Sequence, residues 1–191
     1  TMYPFTDKVT TTKKSRWVNP CYGIVIHHTA GGTYKGNMNY LSERSPKPED
    51  RKNTVSVHFV IWPDGECGKI GDPRDILWHA GNGSWGRTPN VNYVMMGIEV
   101  VGFGEPNEKQ YERLTDLVEY LMGNFPSVER INIIRHSDCT QAREFTKDKI
   151  LWDGKRKVIK RDIWPKFFPE GFEKWRENLQ PKQVSKYGEA E

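Results

Sequence analysis

Two histidine positions stand where apolar segments of the chain end, and imidazole groups there could hold a metal ion. His27 and its neighbour His28 follow the apolar run 23–26 (GIVI), and His136 follows 131–135 (INIIR). Zinc binds imidazole nitrogen together with carboxylate or thiolate, and a catalytic zinc keeps one position for water. Two distant histidines and one acidic residue would supply such a set. Taken alone, however, a histidine at a strand end is more often structural or solvent-facing than a metal ligand.

Glu99 is the second candidate for chemistry, because it is the one carboxylate in the apolar segment 94–101 (VMMGIEVV). A carboxylate among apolar neighbours is costly to bury unless it is paired or functional. The segment therefore predicts either a catalytic Glu99 or an edge strand on which Glu99 faces solvent.

Strands and helices that alternate along the chain must position these groups. Apolar, β-branched segments predict strands at 23–28, 55–62, 94–101 and 131–136, and a turn at 63–66 leads into another strand around 67–70. Apolar residues at helical spacing predict a helix at 107–122, and a closing helix is expected at 164–179. The stretches 78–92 and 137–157 are polar and predict loops. This order predicts an α/β fold, a central mixed β-sheet flanked by helices, in which strand ends share one crevice.

The length and composition favour one compact domain. The chain has 191 residues, with seven Trp, eight Tyr and eight Phe, and its net charge of +4 comes from interspersed basic and acidic residues. That bias is too mild for a nucleic-acid-binding surface, but it suits an approach to an anionic polymer. We expect an N-terminal arm at 1–20, the folded domain at 21–180 and a C-terminal tail at 181–191, and we expect a monomer.

The cysteines and the hydropathy indicate the cellular compartment in which the protein is synthesised. Cys21, Cys67 and Cys139 are an odd set without regular spacing, which does not describe a disulfide framework. No apolar run reaches transmembrane length, and the first residues lack the layout of a signal peptide. We therefore expect synthesis in the cytoplasm without a signal peptide, and no membrane insertion.

Five short motifs, in one order, carry a resemblance to a known family. They are 26–31 (IHHTAG), 55–61 (VSVHFVI) with 64–65 (DG), 78–82 (WHAGN), 96–100 (MGIEV) and 135–138 (RHSD). The set resembles the N-acetylmuramoyl-L-alanine amidases, which include AmpD-type enzymes, phage lysozyme-amidases and peptidoglycan recognition proteins. The resemblance implies the single-domain fold of the peptidoglycan recognition proteins. It also implies hydrolysis of the amide bond between N-acetylmuramic acid and L-alanine in peptidoglycan or muropeptides.

The resemblance also implies a site with one zinc ion. His27 and His136 would be two of the ligands, with His28 packed behind the first. The third family ligand is an Asp or Cys about eight to ten residues after the second histidine, and the sequence departs from the pattern there. A loop two residues longer would place Asp148 in that position. The alternatives are Cys139, Asp138, Glu144 and Asp153.

The resemblance to the amidase family also implies which residues are catalytic. The AmpD-like branch uses a Glu at the position of Glu99 as the general base toward the attacking water, whereas other branches use a Tyr where this chain has Val57. Glu99 together with Val57 therefore indicates the AmpD-like branch. Lys147 would stabilise the developing oxyanion, with Lys149, Arg143 or a protonated His79 as alternatives.

Aromatic and amide side chains in the segment 78–92 suit a sugar–peptide ligand. Trp78, His79, Asn82 and Trp85 are the predicted substrate-binding residues. The alternative places Trp78 in the core and leaves Trp85 as an exposed loop residue. His58 is expected to pack in the sheet rather than bind metal.

A phage-type, bacteriolytic endolysin that degrades the cell wall would fit these features. A cytoplasmic amidase that recycles anhydro-muropeptides would look much the same, and a catalytically silent peptidoglycan-binding module would differ by lacking a zinc ligand. Some phage amidases of this family also bind a polymerase, and nothing in the sequence bears on that role.

Overall fold

The computed structural model describes residues 4–7, 14–29, 41, 55–102, 106–139, 144–146, 149–152, 155–158 and 171–183. Within them the strands are β1 (Thr6–Asp7), β2 (Lys14–Val18), β3 (Gly23–His28), β4 (Phe59–Ile61), β5 (Cys67–Lys69), β6 (Asp75–Leu77), β7 (Met95–Val100), β8 (Ile133–Arg135), β9 (Glu144–Thr146), β10 (Lys149–Trp152) and β11 (Lys155–Val158). The helices are α1 (Glu108–Asn124), α2 (His136–Cys139) and α3 (Gly171–Asn178), and single 3-10 turns span Val91–Tyr93 and Arg130–Asn132.

A six-stranded mixed sheet forms the centre of the fold, in the order β1-β5-β4-β7-β3-β8. Strands β4, β7, β3 and β8 are mutually parallel, whereas β4 and β5 are antiparallel. Parallel strands bring their carboxyl ends to one edge of the sheet. The predicted α/β fold with a mixed sheet and flanking helices is confirmed.

The two faces of the sheet have different partners. Alternate residues of β3, β4, β7 and β8 bury one face in a core with α1 and α3: Ile24, Ile26, Phe59, Ile61, Met96, Ile98, Ile133, Leu114, Leu117, Val118, Phe172 and Trp175. The opposite face carries Val25 and Ile134 among the buried residues of a second cluster that includes Ala80, Val91 and Cys139. Since side chains alternate along a strand, His27 lies on the same face as Val25.

Helix α1 begins and ends close to the predicted bounds. Asn107 accepts a hydrogen bond from the backbone N–H of Gln110, and the Gln110 side chain accepts one from the backbone N–H of Asn107. This capping box satisfies two N–H groups that a helix start leaves without intrahelical partners. The helix predicted at 107–122 is therefore confirmed, with two more residues at its end.

The second predicted strand is shorter than the sequence suggests. Instead of 55–62, only Phe59–Ile61 forms a continuous ladder. The backbone N–H of Ser56 donates to Trp78 and that of His58 donates to Gly97. Because these donors use different partners, the segment before Phe59 does not pair regularly with one neighbour.

The prediction of a loop at 137–157 is wrong. That stretch contains α2 and three short strands, and β10 pairs antiparallel with both β9 and β11. Thr146 pairs with Lys149 and Trp152 pairs with Lys155, so each connection has two residues. In the sequence, 153–154 (DG) is a dipeptide that favours a two-residue hairpin connection.

Two further differences concern the ends of the chain. The N-terminal segment contributes β1, which pairs with β5, and β2, which pairs with the unpredicted β6. The closing helix is α3, and residues 164–170 of its predicted range lie outside the described residues. In the part of the chain that the structure describes, no helix is long and apolar enough to cross a membrane.

Candidate active site

The fold brings His27 and His136 together at the carboxyl ends of neighbouring strands. Strands β3 and β8 are parallel, with Ile26 opposite Arg135, so each histidine is the next residue along its chain. Their ring centroids are 4.5 Å apart and the rings are inclined by 58°. Two imidazoles predicted as ligands from distant segments of sequence therefore lie side by side.

Glu99 lies beside His27 on the other neighbouring strand. The register of β3 and β7 places His27 directly opposite Glu99, and directly opposite residues point to the same face of a sheet. The Glu99 side chain is half-buried, with Oε2 enclosed by protein. A carboxylate and two imidazoles thus share one corner of the sheet.

His79 approaches His27 from the segment that follows β6. Its Nδ1 is 3.1 Å from Nε2 of His27, and its own Nε2 is 3.1 Å from the carbonyl oxygen of Met95. The pKa of His79 is lowered to about 3, chiefly by burial and also by the nearby His58, while the hydrogen bond to Met95 opposes the shift. The neutral ring disfavours the alternative in which a protonated His79 stabilises an oxyanion.

Gly97 and Asn92 hold His79 in this place. A Cβ added to Gly97 would lie 2.6 Å from Cγ of His79, so the ring packs against the bare backbone of β7. The Asn92 side-chain oxygen accepts the backbone N–H groups of His79 and Ala80. Sequence reasoning did not single out either residue, although a glycine inside a strand often marks a close approach.

His58 packs within the structure, as expected from the sequence. Its Nδ1 accepts the backbone N–H of Gly97, and its Nε2 donates to the carbonyl of Asp75. Burial lowers the pKa of His58 to about 4, although the hydrogen bond to Asp75 opposes this shift. Both ring nitrogens are occupied by backbone groups, which fits a structural histidine.

Two of the alternative third ligands have other roles here. Both carboxylate oxygens of Asp138 bond to Arg135, to its side chain at 2.9 and 3.0 Å and to its backbone N–H at 2.8 Å. Cys139 is buried in the second cluster, and burial raises the pKa of its thiol to about 12, with Asp138 adding to the shift. Neither side chain is presented to the two histidines as a ligand.

The remaining candidates near the proposed metal fall outside the described residues. These are Lys147, Asp148, Arg143 and Asp153, and for Glu144 and Lys149 only the backbone is described. Within the described ranges, no three His, Cys, Asp or Glu side chains form a group that could hold a metal ion. The paired imidazoles are suitable donors for zinc, and a third protein ligand is needed to complete such a site.

The predicted substrate-binding residues Trp78, His79, Asn82 and Trp85 differ in their surroundings. Trp85 donates from Nε1 to Asn132, which in turn bonds the carbonyl of Tyr22. That contact lies at the start of β3, about 13 Å along the strand from His27 at ~3.3 Å per residue. The Trp78 ring packs edge-on against Tyr93, and Asn82 is exposed. His79 is buried with both ring nitrogens in use.

The family described as N-acetylmuramoyl-L-alanine amidase matches residues 18–149. The chain belongs to this family. The match includes the histidine pair and Glu99, and it supports amidase activity on peptidoglycan or muropeptides.

Individual members of the family resemble the chain in sequence and in structure. The AmpD of Haemophilus influenzae, a 1,6-anhydro-N-acetylmuramyl-L-alanine amidase, is 28% identical over 134 residues, which cover 63% of this chain and 72% of that protein. A crystal structure of an AmpD derivative superposes with a TM-score of 0.57 at 20% identity, covering 74% and 88% of the two chains. The endolysin amidase LysCS of Clostridium intestinale gives 0.50 at 22% identity, covering 71% and 84%. These likenesses confirm the amidase-family fold.

Proposed function

We propose that this chain is a zinc-dependent amidase that hydrolyses the bond between N-acetylmuramic acid and L-alanine. The observation that carries the proposal is the His27–His136 pair, with Glu99 opposite His27 on the next strand. Amide hydrolysis needs an activated water, a base and stabilisation of negative charge on the carbonyl oxygen. The described corner offers donors for a metal and a carboxylate base.

His27 and His136 would hold the metal, and we propose Asp148 as the third protein ligand. When bound, zinc supplies Lewis acidity, which lowers the pKa of water and polarises a carbonyl. The support for the pair is its chemistry and position: two imidazoles on rigid strand ends, at one edge of the sheet.

Glu99 would act as the general base. Its position opposite His27 lets the carboxylate take a proton from the attacking water, and the same group could then hand the proton to the leaving amine. We propose Lys147 as the cation that stabilises the oxyanion. Trp78 and Asn82 remain our proposed substrate contacts from the segment after β6.

Two candidate roles differ in whether the substrate is a polymer or a soluble molecule. A phage-type endolysin would act on intact cell wall, and the likeness to an endolysin amidase supports that role. The relative named for a 1,6-anhydro substrate favours the second role, cleavage of soluble anhydro-muropeptides.

One assay tests the function and separates the two roles. Purified protein is given intact sacculi or soluble anhydro-muropeptides, and new N-terminal alanine is measured with and without a chelator. We expect release from at least one substrate, loss with the chelator and recovery with zinc. His136→Ala serves as the inactive control.

Each result has a defined consequence. Activity that survives complete metal removal would refute zinc dependence. Binding of either substrate without alanine release would instead identify a silent peptidoglycan-binding module.

A further inference from the structure

The hydrogen bonds of His79 determine which of its nitrogens carries the proton. Nε2 faces the carbonyl oxygen of Met95, which can only accept a hydrogen bond. A neutral imidazole has one N–H, and burial of the ring disfavours the doubly protonated form. The proton of His79 is therefore on Nε2, and Nδ1 is an acceptor.

The tautomer of His79 determines the tautomer of His27. Because Nδ1 of His79 accepts, Nε2 of His27, 3.1 Å away, must donate. A neutral His27 then carries its proton on Nε2 and a lone pair on Nδ1. The opposite arrangement would place the lone pair of His79 Nε2 against the lone pairs of a carbonyl oxygen, which is repulsive.

The position of His79 is constrained on several sides. Gly97 leaves room for the ring on β7, and Val57 also lies against the place that a Cβ of Gly97 would occupy. Asn92 fixes the backbone beside the ring and is itself tied to the carbonyl of Gly81. A ring held in this way imposes a direction on the His27 N–H rather than following it.

We propose that His79 is a positioning residue that holds His27 as the Nε2–H tautomer, so that Nδ1 is the atom presented to the metal. This inference rests on the proposed function, in which His27 is a ligand. Histidine ligands of metals commonly donate their second N–H to a neighbouring acceptor, which fixes the tautomer and the ring orientation. In this chain the acceptor is a second neutral imidazole, which orients the ligand without adding charge.

Two substitutions of His79 separate hydrogen bonding from packing. In His79→Asn the side-chain oxygen can take the place of Nδ1 and retain the acceptor. In His79→Leu a side chain of comparable bulk has no acceptor. Gly97→Ala is a third variant, because its added methyl should push the ring away from His27.

The first measurement needs no metal. Long-range ¹H–¹⁵N spectra of metal-free protein labelled at histidine, with His27 identified by its loss in His27→Gln, report the protonated nitrogen of the ring. We expect Nε2–H in the wild type and in His79→Asn, and a mixture of tautomers in His79→Leu and Gly97→Ala. A wild-type His27 protonated on Nδ1 overturns the proposal, even if every variant fails to fold.

The second measurement is zinc affinity by chelator competition. We expect His79→Leu to bind zinc about 10- to 100-fold more weakly than the wild type, with His79→Asn within a few-fold of it. Equal losses in the two variants would reduce His79 to a packing role. If the wild type shows the Nε2–H tautomer yet binds no zinc, the proposed function fails while the tautomer assignment stands.

Discussion

Histidines of this chain differ in what their ring nitrogens contact, and that difference decides what each can do. His58 uses both nitrogens on backbone groups, Gly97 and Asp75, inside the core. His79 uses one on Met95 and one on His27. The rings of His27 and His136 lie against each other, with centroids 4.5 Å apart, at the carboxyl ends of β3 and β8.

Glu99→Gln tests the proposed base with little change in shape. The amide cannot take the proton from water, so kcat should fall by about 10²- to 10⁴-fold, with zinc content and thermal stability near those of the wild type. The measurement is the rate of alanine release. Glu129→Gln, an exposed change at the amino ends of the strands, is the matched control and should be neutral. Full activity in Glu99→Gln would assign the base elsewhere.

His58 makes stability depend on pH. Its native pKa of about 4 lies below its ordinary value of 6.5, so the unfolded chain binds its proton first as the pH falls. The stabilisation is present above pH ~6.5 and is lost toward pH ~4, with a slope of up to about 1.4 kcal/mol per pH unit. His58→Gln should therefore be less stable at pH 7 but show a flatter dependence between pH 7 and 5.

Urea unfolding midpoints at pH 7, 6 and 5 measure this slope. Val60→Ala is the control, because it removes buried packing two residues along the chain, on β4, and no titrating group, and it should keep the wild-type slope. An unchanged slope in His58→Gln would show that the ring does not resist protonation in the folded state.

At the scale of elements, the junction between β8 and α2 presents His136. Arg135 ends the strand, and three hydrogen bonds to Asp138 tie that end to the first turn of α2. Each of the two side chains is only about one-fifth exposed. The clamp thus fixes the backbone on both sides of His136, which is a positioning role for Asp138 rather than a metal-binding one.

Asp138→Asn tests this assignment. Loss of hydrogen bonds to a charged partner should lower the free energy of unfolding by about 1.5–3 kcal/mol, while one zinc per chain is retained. Chemical denaturation and metal analysis measure the two effects. The control is Asp116→Asn. Asp116 lies on α1 and forms an exposed ion pair with Lys182, so its loss should lower the free energy of unfolding by under about 1 kcal/mol. Loss of zinc from Asp138→Asn alone would restore Asp138 as a candidate ligand.

The sequence predicted well those strands and helices whose own residues show a regular apolar pattern. The alternation in β3 and β7 and the apolar spacing of α1 are local properties, and the structure has them close to the predicted bounds. Strands β9 to β11 were missed because each has only three or four residues, too few to show a clear periodic pattern. Pairing with neighbours, rather than intrinsic preference, stabilises such strands.

At the scale of the whole molecule, the C-terminal helix α3 supports the sheet from the face opposite the histidines. Phe172 and Trp175 are buried in the core with α1, and the Arg135 guanidinium lies 5.0 Å from the Phe172 ring centroid. Arg130 also donates to the carbonyls of Arg176, Glu177 and Leu179 at the end of α3. The helix is therefore part of the same folded unit as the site.

Phe172→Ala tests whether α3 stabilises the domain. Removing a buried aromatic ring should cost about 3–5 kcal/mol and lower the thermal midpoint, measured by calorimetry. Glu173→Ala, the exposed neighbour on the same helix, is the control and should change stability little. A small effect of Phe172→Ala would mean that the domain folds without the support of α3.

The sequence by itself determined the family, the mixed α/β sheet and the pairing of His27 with His136 as candidates, because motifs and strand patterns are written in consecutive residues. Only the tertiary structure decided that His79 faces His27 rather than solvent, that Trp85 lies near the start of β3, and that Asp138 clamps Arg135. His27 and His79 are 52 residues apart in the chain. Their contact depends on the register of two strands and on the space above Gly97, and no local pattern encodes such a distance.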